Sequence, residues 1–195
     1  MLLSRAPIAV ILFAAIAAAA GDPRAAACRK KIEEIEGGRA KPGAVYVFTK
    51  AEINAYAREE VPTVVPKGLR NPALELGTNT ATGTALMDFL QMQHAQGVKM
   101  NWVMEKLIDG ERPVKVVIES ETKAGKAIIY LRRLEISGIA ASGTVLDFMI
   151  RNFFRPLYPN AHINEWFEMG NNVDHVDVRP DAVRVYIKSG ALQKK

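Results

Sequence analysis

Residues 114–136 read VKVVIESETKAGKAIIYLRRLEI. Val114, Val116 and Ile118 alternate with Lys115 and Glu119, the period-two pattern of a strand with one apolar face. Lys123-Ala124-Gly125 supplies a turn, and Lys126 to Ile136 reads as the return strand, longer than the first. Strands joined by so tight a turn pair antiparallel, whereas parallel neighbours need a long crossover.

Working outward from the hairpin, the same alternation recurs. Upstream, Thr80 to Leu90 places Gly83, Ala85, Met87 and Phe89 on one face, with Thr82, Thr84, Leu86 and Asp88 on the other. Ala73 to Gly77 is a shorter strand, and Ala44 to Phe48 another. Between these two, Thr49 and Glu52 form a capping box that opens a helix over 50–60, and Pro62 and Pro66 are expected to end it. A second helix is predicted over 99–108, and a third over 143–155, opened by Gly143 and stopped by Pro156 and Pro159. Val173 to Arg179 and Ala182 to Lys188 close the chain as two strands about a Pro180-Asp181 turn. Helices set between antiparallel pairs predict an α+β fold, a twisted antiparallel sheet wrapped on two or three amphipathic helices, and exclude a doubly wound parallel sheet.

Within the 195 residues, 49% are hydrophobic and 24% charged, the make-up of a globular chain. The N-terminus departs from this. Arg5 precedes an uncharged run from Ala6 to Ala20, and small residues follow before Gly21 and before Cys28, the layout of a secretory signal peptide. The run is about 15 residues long, short of the roughly 20 that cross a bilayer. Residues 1–27 are therefore expected to be a leader, cut after Ala20 or Ala27, with 28–43 a charged lead-in (a short helix or a mobile stretch), 44–190 a single domain and 191–195 a basic tail. Export to the periplasm or beyond follows. Cys28 after small residues raises lipid attachment as a second option, although Ala25 stands where such sites carry Leu and Gly21-Asp22-Pro23-Arg24 interrupts the run. With 26 basic and 21 acidic residues the net charge is +5, which suits anionic lipid headgroups but is too dispersed for nucleic acid.

Residues that could carry catalysis are scattered. His94, His162 and His175 show no metal-ligand spacing, and one cysteine offers neither a disulfide nor a zinc knuckle. There is no G-x-S-x-G elbow and no phosphate loop. Asp88, Asp147 and the Glu59/Glu60 pair sit at polar positions expected to be solvated, with Asp147 and Arg151 an i, i+4 helix pair. The expectation is a non-enzymatic protein without metal or cofactor. The apolar stripes are more suggestive. Met100, Val103, Met104 and Leu107 line one helix; Leu146, Met149, Ile150, Phe153 and Phe154 line another. Methionine-rich apolar faces adapt to irregular ligands, so these nine residues are candidates to contact a lipid chain. Lys99, Lys106, Arg151 and Arg155 are candidates for its headgroup. A solid core satisfies the same periodicity.

The segment FTKAEINAY (48–56) resembles the opening of exported bacterial domains of the LmeA-like and YpmS-like phospholipid-binding families. LEISGIAASGTVLDFMI (134–150) is similar to their strand-turn-helix step, with Ala141 or Ser142 in place of the usual proline, and NVDHVDVRPDAVRVYI (172–187) to their final hairpin. The likeness spans roughly residues 45–188, and the chain is shorter than the LmeA-like pattern. It implies half of a tubular lipid-binding fold and an envelope protein that binds or carries a phospholipid or similar amphiphile, with a membrane surface as neighbour. It supplies no catalytic residues. The alternative is a structural adaptor of the envelope, solid in its core, that binds another protein through a sheet edge.

Overall fold

The computed structural model describes residues 21–64, 68–91, 110–143, 146–147, 150–151 and 163–190. Their elements are α1 (Pro23–Glu36), β1 (Val45–Thr49), α2 (Lys50–Val64), β2 (Leu69–Leu76), β3 (Thr80–Asp88), β4 (Glu111–Lys123), β5 (Lys126–Ile136), β6 (Ile139–Ala140), β7 (Phe167–Glu168), β8 (Val173–Val178) and β9 (Ala182–Ile187). The fold is α+β, with antiparallel pairing throughout the named strands. The single sheet expected from sequence is instead two. β1-β9-β8 form a three-stranded sheet, and β2-β3-β4-β5-β6 a longer one, with β7 added beside β5.

The hairpin at 114–136 forms as read. Ala124 and Gly125 both have positive φ (50° and 82°), the conformation of a two-residue turn whose twist matches its strands. β4 nevertheless begins at Glu111 and runs 13 residues against 11 for β5, so the return strand is the shorter. An irregularity opposite Val117 and Ile118 takes up Arg132 as an extra residue on β5.

Helix α1 takes the helical of the two forms open to the charged lead-in, but it starts at Pro23, inside the expected leader, and ends at Glu36. Asp22 caps it, its carboxylate accepting from the Arg24 amide at 2.9 Å, and Pro23 occupies the first helical position, where a missing N–H costs nothing. Ala25, Cys28, Ile32 and Ile35 form a buried stripe at helical spacing. The stripe runs across the 27/28 boundary drawn between leader and lead-in, so one packed helix spans both and that boundary does not hold as a structural one. Gly38, with φ of 67°, lets the chain turn away.

Helix α2 opens on the expected capping box: the Thr49 amide donates to Glu52 Oε2 at 2.8 Å, and the Glu52 amide to Thr49 Oγ1 at 3.2 Å. It does not stop before Pro62 but carries that proline in its last turn and ends at Val64. A proline there forfeits a single backbone bond, and the Thr63 hydroxyl caps the Glu60 carbonyl at 2.7 Å. Glu60, expected to be solvated, is only 2% exposed because α1 covers it. Arg29 pairs with it, Nε lying 2.8 Å from Oε1.

Two buried clusters meet along α2. The larger gathers the α1 stripe, Phe48, Ile53, Tyr56 and the inner faces of β8 and β9. The other gathers Ala57, Val61, Phe89, Val114, Leu134 and Ile136. The sheets are joined at the β8 edge by side-chain and turn groups: Thr122 Oγ1 donates to the Val176 carbonyl at 2.8 Å and accepts from its amide at 2.9 Å, and the Asn79 amide donates to the Val178 carbonyl at 2.9 Å.

Other strand edges are engaged similarly. Asn54 on α2 behaves as a strand residue toward the outer edge of β2, its Nδ2 donating to the Leu74 carbonyl and its Oδ1 accepting from the Leu74 amide, each at 2.8 Å. Lys31 donates to the Val47 carbonyl on β1 at 2.6 Å. Replacing Asn54 with Ala removes both bonds to β2 and is expected to lower stability by about 1–2 kcal/mol in urea denaturation, whereas a loss below about 0.5 kcal/mol would mean the β2 edge is held by other contacts.

Candidate functional site

The inner face of the large sheet is incompletely filled. An apolar groove of about 270 Å³ lies between it and α2, closed at one end by Val178 and Val183 of the small sheet. Ile53 and Val61 on α2 form one wall, Leu74 and Leu76 on β2 another, and Val114, Val116 and Ile118 on β4 a third. The floor is β3, through Ala81, Gly83, Ala85 and Met87. These four are the residues that strand alternation directs inward. Three are too small to reach α2 across the gap. Gly83 lies between Leu74 and Val116 in register, and among the described residues a Cβ there would meet no atom within 4 Å. The floor spans roughly 20 Å from Ala81 to Met87 at the usual strand rise.

A groove of this kind offers dispersion contacts and exclusion of water but few polar partners along its length. Its volume is near the lower end of typical small-molecule sites. It suits a narrow apolar chain better than a ring system with several polar groups.

Of the residues expected from sequence to contact a lipid, Leu146 packs against the second cluster, beside Val61, Met87, Val114 and Val116, which also line the groove. Ile150 is half-buried. Arg151, offered for a headgroup, is exposed, and its Nε donates to the Asp147 carbonyl at 3.2 Å rather than to the Asp147 carboxylate. Met100, Val103, Met104, Leu107, Met149, Phe153 and Phe154 lie outside the described residues, as do Lys99, Lys106 and Arg155. The helix expected over 99–108 lies there too, and that over 143–155 is described only in part. The lining from β2 and β3 was missed. The available signal was the alternation Ala81, Gly83, Ala85 opposite bulky residues on both neighbouring strands, which leaves volume unfilled.

Other titratable groups are accounted for in place. Asp88 accepts from the Gln91 amide at 3.0 Å and from its side chain at 2.9 Å. His175 stacks on Tyr186 with ring centres 4.1 Å apart, its Nδ1 2.7 Å from Asp174. Among the described residues no group of three His, Cys, Asp or Glu side chains is placed to hold a metal ion, and no helix is long and apolar enough to cross a membrane.

Compared with known proteins, the chain matches no family model, no curated protein and no solved structure.

Cys28, the residue raised for lipid attachment, is fully buried in the larger cluster. Burial, with the Glu52 carboxylate adding to it, pushes its thiol up from an ordinary 9.0 to about 12. Burial likewise raises the Tyr56 phenol above its usual range, with Glu60 contributing. Both groups hold their protons more tightly folded than unfolded, so stability is full below the unfolded values and falls as pH rises through them. Denaturant midpoints are expected to decline above about pH 9, less steeply in Cys28→Ala. Native protein at pH 8 is expected to resist alkylation by iodoacetamide until denaturant is added; rapid labelling of the folded protein would contradict the burial.

Proposed function

We propose that this chain is an exported envelope protein that binds and carries a phospholipid or similar amphiphile, an acyl chain occupying the groove between α2 and β2–β4, without transforming it. The observation carrying this reading is the open floor at Gly83: an apolar face, flanked by large apolar side chains, with room where a side chain would ordinarily stand. Each methylene that leaves water there contributes about 0.8 kcal/mol. Such contacts accumulate along a chain with little dependence on its pattern of substitution, so discrimination by chain length is expected to be loose. This is also the activity implied by the resemblance to the LmeA-like and YpmS-like families.

An adaptor that captures a protein by strand addition has less support, because such binding needs a row of unpaired backbone groups at a sheet edge. Here Asn54 engages β2, Lys31 engages β1 and Thr122 engages β8.

Processing after Ala20 fits this reading best. It leaves the Asp22 cap, Pro23 and the buried Ala25 in place, all of which a cut after Ala27 would remove. The same burial argues against Cys28 as a lipidated N-terminal residue. Intact mass of the exported protein is expected to correspond to a chain starting at Gly21; one starting at Cys28 would overturn this.

The groove itself is tested with Gly83→Leu, whose Cβ meets no atom of the described residues within 4 Å and whose longer side chain occupies the floor. The protein purified from the envelope is expected to release phospholipid on organic extraction and to take up labelled phospholipid from liposomes. The variant should keep or slightly gain thermal stability while losing uptake by roughly 10-fold or more, the loss of about two methylenes' worth of contact. A folded variant with normal uptake, or a wild-type protein that neither contains nor acquires lipid, would reject the reading.

A further inference from the structure

The groove is apolar along its walls, and an arginine stands beside a residue that lines one end of it. Arg112 stands on β4 two residues before Val114, so its side chain leaves the sheet on the same face as Val114, Val116 and Ile118. Its register partner on β3 is Met87, which lines the groove at the end remote from Val178 and Val183. An arginine thus terminates the apolar face.

Its hydrogen bonding is incomplete. The Arg112 Nε is buried and has no partner among the described residues. The carboxylates nearest to it along the strands are committed elsewhere and, by alternation, lie on the opposite face. Glu111 pairs with Arg70 at 2.6 Å, and Asp88 accepts from Gln91. A guanidinium cannot give up its proton at any ordinary pH, so it cannot escape the cost of a buried unpaired donor by neutralising. The missing partner is an acceptor at Nε, and the guanidinium edge that carries Nε and an Nη is the one that matches two oxygens of a carboxylate or a phosphate.

We infer that the occupant of the groove is a lipid with an oxyanion head, and that Arg112 binds that head while the chain extends along β3 toward Val178. The inference rests on the groove reading proposed above and adds to it the charge of the ligand and the residue that recognises it. It also transfers the headgroup role from Lys99, Lys106, Arg151 and Arg155 to a residue inside the sheet.

The test uses three probes that share one oleoyl tail: oleate, lysophosphatidic acid and monooleoylglycerol. Each is titrated into the wild-type chain, Arg112→Gln and Arg112→Lys. Wild type is expected to bind at least one anionic probe more tightly than the neutral one. Arg112→Gln should lose roughly 10- to 100-fold for that probe while holding monooleoylglycerol within about 2-fold, and Arg112→Lys should retain part of the preference. Whether oleate or lysophosphatidic acid leads identifies the head as carboxylate or phosphate. Equal wild-type affinity for neutral and anionic probes overturns the inference and leaves the groove standing, as does an Arg112→Gln that keeps the preference. Failure of wild type to bind any of the three overturns the groove and the inference together. Should Arg112→Gln not fold, the wild-type ranking and Arg112→Lys decide, and a preference that Lys leaves undiminished overturns the bidentate role.

Discussion

The structure depends on α2 being shared. One face of that helix, through Ile53 and Tyr56, closes the cluster built with α1 and the small sheet; the next turn, through Ala57 and Val61, belongs to the cluster under the large sheet. The helix is thus packed against α1 and the small-sheet cluster on one side and the large-sheet cluster on the other. Its height above β3 is set by contacts on both sides of that strand, and by Asn54 gripping the β2 edge. The short side chains on the floor of the groove then do not fill the space beneath it. The opening follows from how the helix is held.

Much of this architecture could be read from the chain itself, for reasons that differ by element. The β4–β5 hairpin and the β8–β9 hairpin carry both signals at once, alternation along the strands and turn chemistry between them. Thr49 and Glu52 mark the start of α2 through a local reciprocal bond that needs no tertiary context. Its end was harder to see, because a proline is tolerated in the final turn where few backbone bonds remain to be lost. The start of α1 was concealed by composition: its first turn merges with an alanine-rich run that resembles a leader, and its full stripe becomes apparent only when residues on both sides of that boundary are read together. Division into two sheets, and their joining through groups such as Thr122 and Asn79, is a tertiary property whose partners lie far along the sequence.

The candidate site was less legible. Periodicity directed attention to the largest apolar side chains, on the expectation that a ligand meets Met and Phe. The described groove is defined as much by what is small. Small residues on an inward strand face give a weak signal in any hydropathy pattern, and their meaning depends on what stands opposite. Arg112 was equally hard to single out, because one cation at the start of a strand looks like surface until the neighbouring residues are seen to face inward.

The small sheet draws its strands from opposite ends of the domain. β1 pairs with β9, whose residues lie more than a hundred positions further on, with Val45 opposite Tyr186 and Thr49 opposite Ala182. A chain made from its N-terminus therefore presents β1 and the apolar side of α1 long before their partner exists. Pairing across so large a separation must meet its loop-closure entropy before any contact offsets it. Completion of the fold waits on the last strand, which places the cooperative step after the whole polypeptide has been made.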